Sequence, residues 1–102
     1  MKHALVAMTI LGISLYAIYM AVYMNLIIEA KHRISYTNTM LSQFLYKQHL
    51  NIPIRLSTKE AFLKYIDESI LFSNKRLNKI DAKYYTEIFQ LIKERINKIP
   101  TD

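Results

Sequence analysis

The sequence predicts an all-α protein with a single N-terminal transmembrane helix that continues into a stalk, followed by a two-helix amphipathic hairpin. Three observations predict this class. Residues 4–28 carry no charge, no Pro or Gly interrupts residues 29–51, and two later segments space their apolar residues by three and four. The predicted division is a short N-terminal tail 1–3, a transmembrane helix 4–28, a stalk helix 29–51 and a helical hairpin domain 52–102, with helices at about 58–76 and 82–99.

The uncharged segment is long enough to be a membrane anchor. A bilayer core of about 30 Å requires about 20 apolar residues in a helix, and residues 4–28 exceed that number. A secretory signal has a shorter apolar region, of about 7–15 residues, followed by small residues at the cleavage site. Cleavage after Ala30 would place the bulky Ile28 at the minus-three position. We therefore expect an uncleaved single-pass anchor in a bacterial or organellar inner membrane, in an orientation that the basic residues leave open.

Two faces of this anchor carry residues that lipid contact alone does not require. At 100° per residue, a phenol-rich stripe lies roughly opposite a stripe of small and polar residues. A phenol near the bilayer centre gains from a hydrogen-bond partner, and small residues allow another helix to approach closely. We expect both stripes to contact partner helices. The first stripe is Gly12, Tyr16, Tyr19 and Tyr23, and the second is Ala7, Ser14, Ala17, Ala21 and Asn25.

The remainder of the chain predicts a helix break and then two short helices. Pro53 disfavours helical backbone at the preceding residue, and Ser57-x-x-Glu60 has the pattern of a capping box that begins a helix. Asp81 is the predicted N-cap of the last helix. The apolar residues of that helix follow steps of four, three, four and three, which predicts a buried seam. The seam residues are Tyr85, Phe89, Ile92, Ile96 and Ile99.

Charge and composition exclude several classes of site. The formal net charge is +6, and all but one of the 14 Lys and Arg follow the anchor. Lys31 and Arg33, just beyond the anchor, are the predicted contacts with lipid headgroups. The chain has no Cys and a single Gly, so disulfides, thiolate metal sites and Gly-rich phosphate loops are absent.

No catalytic or metal-binding pattern is complete. Glu29-x-x-His32 matches one half of a di-iron motif, which requires a second such pair and two further carboxylates. His3 and His49 are not at a metal-ligand spacing from His32. We therefore predict no catalytic residue, no metal site and no cofactor, and a protein that is not an enzyme.

These features favour a non-catalytic accessory or structural subunit of a larger membrane protein assembly, whose expected partners are membrane lipid and other membrane subunits. Self-association is compatible with the same features. One alternative is a stand-alone small membrane regulator, such as a phage-type exclusion or lysis-control factor. Another is a membrane tether that binds nucleic acid, which the mixed charges of the last helix disfavour because nucleic-acid binders usually keep one face basic.

Overall fold

The computed structural model describes residues 2–101, which form three helices and no strand. They are α1 (Lys2–His49), α2 (Leu56–Arg76) and α3 (Lys79–Asn97). The all-α prediction is confirmed. The molecule is an elongated rod of 75 × 19 × 18 Å, because α1 extends well beyond the other two helices. Of the predicted N-terminal tail, Lys2 and His3 belong to α1, and Met1 lies outside the described residues.

A single unbroken helix joins the apolar segment to the stalk. Its end is determined by Asn51, which adopts the left-handed conformation (φ 57°) that Asn tolerates better than most residues. The N–H of Ile52 donates to the carbonyl of Lys47 at 2.8 Å, and that of Asn51 donates to Gln48 at 3.1 Å. These two bonds form a Schellman motif, which satisfies the final carbonyls of α1 before Pro53 is reached.

The two shorter helices begin earlier than predicted. Helix α2 starts at Leu56 after an extended Arg55 that makes no side-chain cap, so the capping box at Ser57 is not formed. Helix α3 starts at Lys79, and its N-cap is Asn78, whose side chain accepts the N–H of Asp81 at 2.8 Å. The prediction that Asp81 is the N-cap is therefore wrong. Asn78 is the stronger cap because the end of α2 leaves it in the extended conformation that an N-cap requires.

The hydrophobic core lies between the second half of α1 and the other two helices. Helix α1 contributes Ala30, Leu41 and Phe44, and Phe44 meets Phe62 of α2 edge-to-face with ring centroids 5.5 Å apart. Helix α3 contributes the largest share. Its predicted seam residues Tyr85, Phe89, Ile92 and Ile96 are all at most 5% exposed. The fifth, Ile99, is equally buried but follows the helix, which ends at Asn97 and not at the predicted residue 99.

Polar contacts connect α2 and α3 along their length. The Lys59 ammonium donates to the carbonyls of Asn97 and Ile99 at 3.2 and 2.8 Å, which satisfies acceptors at the end of α3. At mid-length, Lys93 and Asp67 form an ion pair at 2.7 Å.

The packing leaves the first part of α1 without neighbours. Helices α2 and α3 reach along α1 only as far as Tyr23, and all of residues 2–22 are exposed. The last part of the predicted transmembrane helix 4–28 instead lies beside the core, because Tyr23, Leu26 and Ile27 pack against it. Among residues 2–101, α1 is the one helix long and apolar enough to cross a membrane. The uncovered part has a length of about 30 Å at 1.5 Å per residue, which equals the thickness of a bilayer core.

Candidate membrane and partner interface

The phenol-rich stripe of α1 has no neighbour in this chain over most of its length. Tyr16 and Tyr19 are 66% and 61% exposed. A Cβ added to Gly12 would meet no atom within 4 Å. The structure therefore leaves this side open, with an empty space at Gly12 and exposed aromatic rings at Tyr16 and Tyr19.

The opposite stripe is open as well. Ala7, Ser14, Ala17, Ala21 and Asn25 are all exposed. The Thr9 hydroxyl elsewhere on the helix donates to the carbonyl of Leu5 at 2.9 Å, so a hydroxyl can be satisfied within α1 itself. That local arrangement contrasts with Tyr16, whose phenol is too distant from its own backbone to do the same.

Tyr23 marks the point where α1 enters the core. Its ring stacks on that of Tyr19, with centroids 6.1 Å apart and planes at 11°. Its hydroxyl donates to the Asp81 carboxylate and accepts the backbone N–H of Asn78 at 3.2 Å. The predicted partner for Tyr23 was another protein, whereas the structure supplies one within this chain. We name this contact of Tyr23 with Asn78 and Asp81 the junction.

Sequence reasoning did not assign Asn78 or Asp81 to a site with Tyr23. Asn78 has two roles at the junction, because its side chain caps α3 while its backbone N–H binds the phenol. Asp81 is oriented toward α1 in the first turn of α3, where a carboxylate also interacts favourably with the helix dipole. The available signal in the sequence was Asp81, an acidic residue that follows the basic segment 75–79.

The two predicted headgroup residues lie in different surroundings. Lys31 is exposed, whereas the Arg33 side chain is only 23% exposed and lies under α2. Its guanidinium donates to Ser69 Oγ and to Glu29 Oε1, each at 3.1 Å. It also lies 4.9 Å from the ring centroid of Phe72 and 5.5 Å from that of Tyr65. These contacts give Arg33 a role in holding α2 on α1.

We expect Arg33→Ala to destabilise the packing of α2 on α1 by about 1–2 kcal/mol, because it removes two cation–π contacts and the bond to Ser69. Urea unfolding of the detergent-solubilised chain, followed by circular dichroism, measures this change. Lys31→Ala removes the same charge two residues away and should leave the midpoint unchanged. Equal midpoints for the two variants would contradict a structural role for Arg33.

The five predicted seam residues, four in α3 and Ile99 just after it, are part of the hydrophobic core. They face α1 and α2, and burial raises the pKa of the Tyr85 phenol above its ordinary value, with the Asp81 carboxylate adding to the shift. Both effects favour the neutral phenol that a core position requires.

Residues 2–101 contain no group of three His, Asp or Glu side chains that could hold a metal ion. Glu29 pairs with Arg33, and His32 is exposed beside it. The described surface thus offers two uncovered faces on α1 and the junction as its distinctive features.

No family model, no curated protein and no solved structure matches this chain.

Proposed function

We propose that this protein is a non-catalytic, single-pass accessory subunit of a larger membrane assembly, in which residues 2–22 of α1 cross the bilayer and bind partner helices. The observation that carries the proposal is the uncovered length of α1. About 30 Å of apolar helix projects from a packed core, and a bilayer is the environment that satisfies such a length. Helices α2 and α3 then form a small hairpin domain at one membrane surface.

The two uncovered faces support binding of partner helices in addition to lipid. Helices associate in membranes through small residues that allow close approach and through polar side chains that bond across the contact. Gly12 and Tyr16 lie on one face of α1, and Ala17 and Ala21 lie on the other. None of these side chains is used by the packing within this chain, so all of them are available to a partner.

The test is co-purification of the tagged full-length chain from membranes in mild detergent, resolved on a native gel. Gly12→Leu with Tyr16→Ala should remove the stoichiometric partners, because the first change fills the open space and the second removes a ring. The fold of the chain should not change, since neither residue contacts the core. Tyr16→Phe alone should weaken association only about threefold, in line with the roughly 0.6 kcal/mol of a membrane hydrogen bond.

The matched control is Ile13→Ala with Met20→Ala, which lies between the two faces and should leave the partner set intact. Partners that remain bound to both double variants would contradict the subunit proposal. Absence of any stoichiometric partner from the unaltered chain would instead support the stand-alone regulator.

A further inference from the structure

The turn between α2 and α3 concentrates positive charge next to the uncovered part of α1. We name this surface the basic tip, and it consists of Lys75, Arg76, Lys79, Ile80, Lys83 and Tyr84, all of which are exposed. The junction fixes its level, because Tyr23 of α1 binds Asn78 and Asp81 within the same turn. The basic tip therefore lies alongside the end of the proposed membrane span.

The charge of the basic tip is not neutralised within the described chain. Among residues 2–101, none of its four cationic side chains takes part in an ion pair. The nearest acidic residue in sequence is Asp81, whose carboxylate is half-buried and accepts the Tyr23 phenol. The four cationic side chains are thus exposed without an ion pair to any described residue, while the Asp81 carboxylate is directed toward α1.

Apolar side chains accompany these cations. Ile80 is 82% exposed, the highest value among the large apolar residues that the structure describes. Tyr84 follows one helical turn later and is also exposed. A phenol and an aliphatic side chain among basic residues form the composition that stabilises a segment at a membrane–water interface.

A groove of about 300 Å³ connects the basic tip to the apolar helix. Its wall on one side is formed by Tyr19, Val22 and Leu26 of α1, and Arg76 and Asn78 line the other side. The α1 side of the groove is thus mainly apolar, with two phenols, and the opposite side carries a guanidinium. A phospholipid presents the matching pair of groups, an acyl chain joined to a phosphate.

We propose that the basic tip and this groove form a binding site for anionic phospholipid. This proposal rests on the proposed membrane span. The headgroup phosphate binds Arg76 and the neighbouring lysines, the acyl chain lies along Val22 and Leu26, and Ile80 enters the interface. The junction holds the turn at this level because it ties the first turn of α3 to α1. Lipid binding thereby fixes the height of the α2–α3 pair above the bilayer.

The position of Ile80 can be measured directly, because the chain contains no Cys and a single introduced thiol reports one site. We would attach a polarity-sensitive fluorophore to Ile80→Cys, Leu91→Cys and Leu11→Cys in the full-length chain. Each labelled chain is reconstituted into phosphatidylcholine vesicles with and without phosphatidylglycerol. The vesicles carry lipid-attached quenchers, either at headgroup depth or at mid-chain depth.

We expect the label at position 80 to be quenched from headgroup depth, and more strongly when phosphatidylglycerol is present. Position 91 lies about 16 Å further along α3 and should stay unquenched. Equal, unquenched signals at 80 and 91 with mid-chain quenching at 11 would overturn the lipid site and leave the span intact. An unquenched label at position 11 would overturn the span itself.

Lipid retention tests the role of charge. We expect native mass spectrometry of the detergent-solubilised chain to show selective retention of phosphatidylglycerol over phosphatidylcholine. Lys79→Gln with Lys83→Gln should reduce that selectivity about fivefold for each charge removed. The control, Lys64→Gln with Arg95→Gln, removes two charges that lie about 16 Å or more from the tip along the helices, beyond the Debye length of about 8 Å.

Equal selectivity in the tip variant and the control would overturn the proposal. Displacement of the retained lipid by inorganic phosphate at equal concentration would also overturn it, because the groove would then contribute nothing. Binding of an oligonucleotide to the tip in phosphatidylcholine vesicles, abolished by the tip variant, would make this surface a nucleic-acid contact instead.

Discussion

We expect replacement of Ile92 by Asp to unfold α2 and α3 and to leave α1 as an isolated helix. Ile92 is 5% exposed and lies in the α3 seam against α1 and α2. A carboxylate there has no partner, and an unpaired charge in a core costs several kcal/mol. Domains of this size derive only about 3–5 kcal/mol from their core, so we expect loss of more than about 4 kcal/mol to exceed the stability available.

The adjacent residue provides the control. Leu91 is 61% exposed, and Leu91→Asp introduces the same charge one position away on the outer side of α3. We expect its effect on the free energy of unfolding to stay within about 0.5 kcal/mol. Limited proteolysis in detergent distinguishes the two outcomes. Similar resistance of the Ile92 and Leu91 variants would show that the seam does not carry the packing of α3.

The second large effect concerns the uncovered part of α1. Leu11→Arg with Leu15→Arg places two charges near the middle of the proposed span, where each costs about 2.5–3.5 kcal/mol during membrane insertion. We expect alkaline carbonate to extract this variant from membranes, whereas the unaltered chain stays in the membrane pellet.

The control for this variant lies on the same helix. Ser42→Arg with Gln43→Arg adds the same two charges at exposed positions of α1 that lie outside the proposed span. We expect that chain to remain in the pellet. Retention of the Leu11 and Leu15 variant to the same extent would contradict insertion of this segment.

The number and order of the helices follow from local patterns in the sequence. An uncharged, uninterrupted segment predicts the first helix and apolar spacing predicts the other two, and the end of α1 at His49 falls within two residues of the predicted end at 51. The two helix starts could not be located in the same way. Helix α2 begins after Arg55, which makes no side-chain cap and gives no signal in the sequence, and two residues compete for the start of α3. Asn78 and Asp81 both favour N-cap positions, and only the backbone conformation that the turn imposes selects Asn78.

The junction could not be predicted, since it joins residues 58 positions apart. The phenol of Tyr23 indicates that a hydrogen-bond partner is required, but the sequence does not indicate which helix supplies that partner. Arg33 is similar. Its position after an apolar segment favours a lipid headgroup contact, while the neighbours it has in the structure belong to α2 and depend on how the helices align. Contacts of this range are decided by packing of the whole core.

Labelling of single cysteines along α1 with a membrane-impermeant maleimide, present on both sides of reconstituted vesicles, tests most directly whether residues 2–22 span the bilayer. The positions are Leu11, Ile18, Ile28 and Ser35, each exposed in the isolated chain. We expect protection at 11 and 18 and reaction at 28 and 35, because the core begins at Tyr23. Reaction at 11 and 18 as rapid as at 35 would contradict a membrane span.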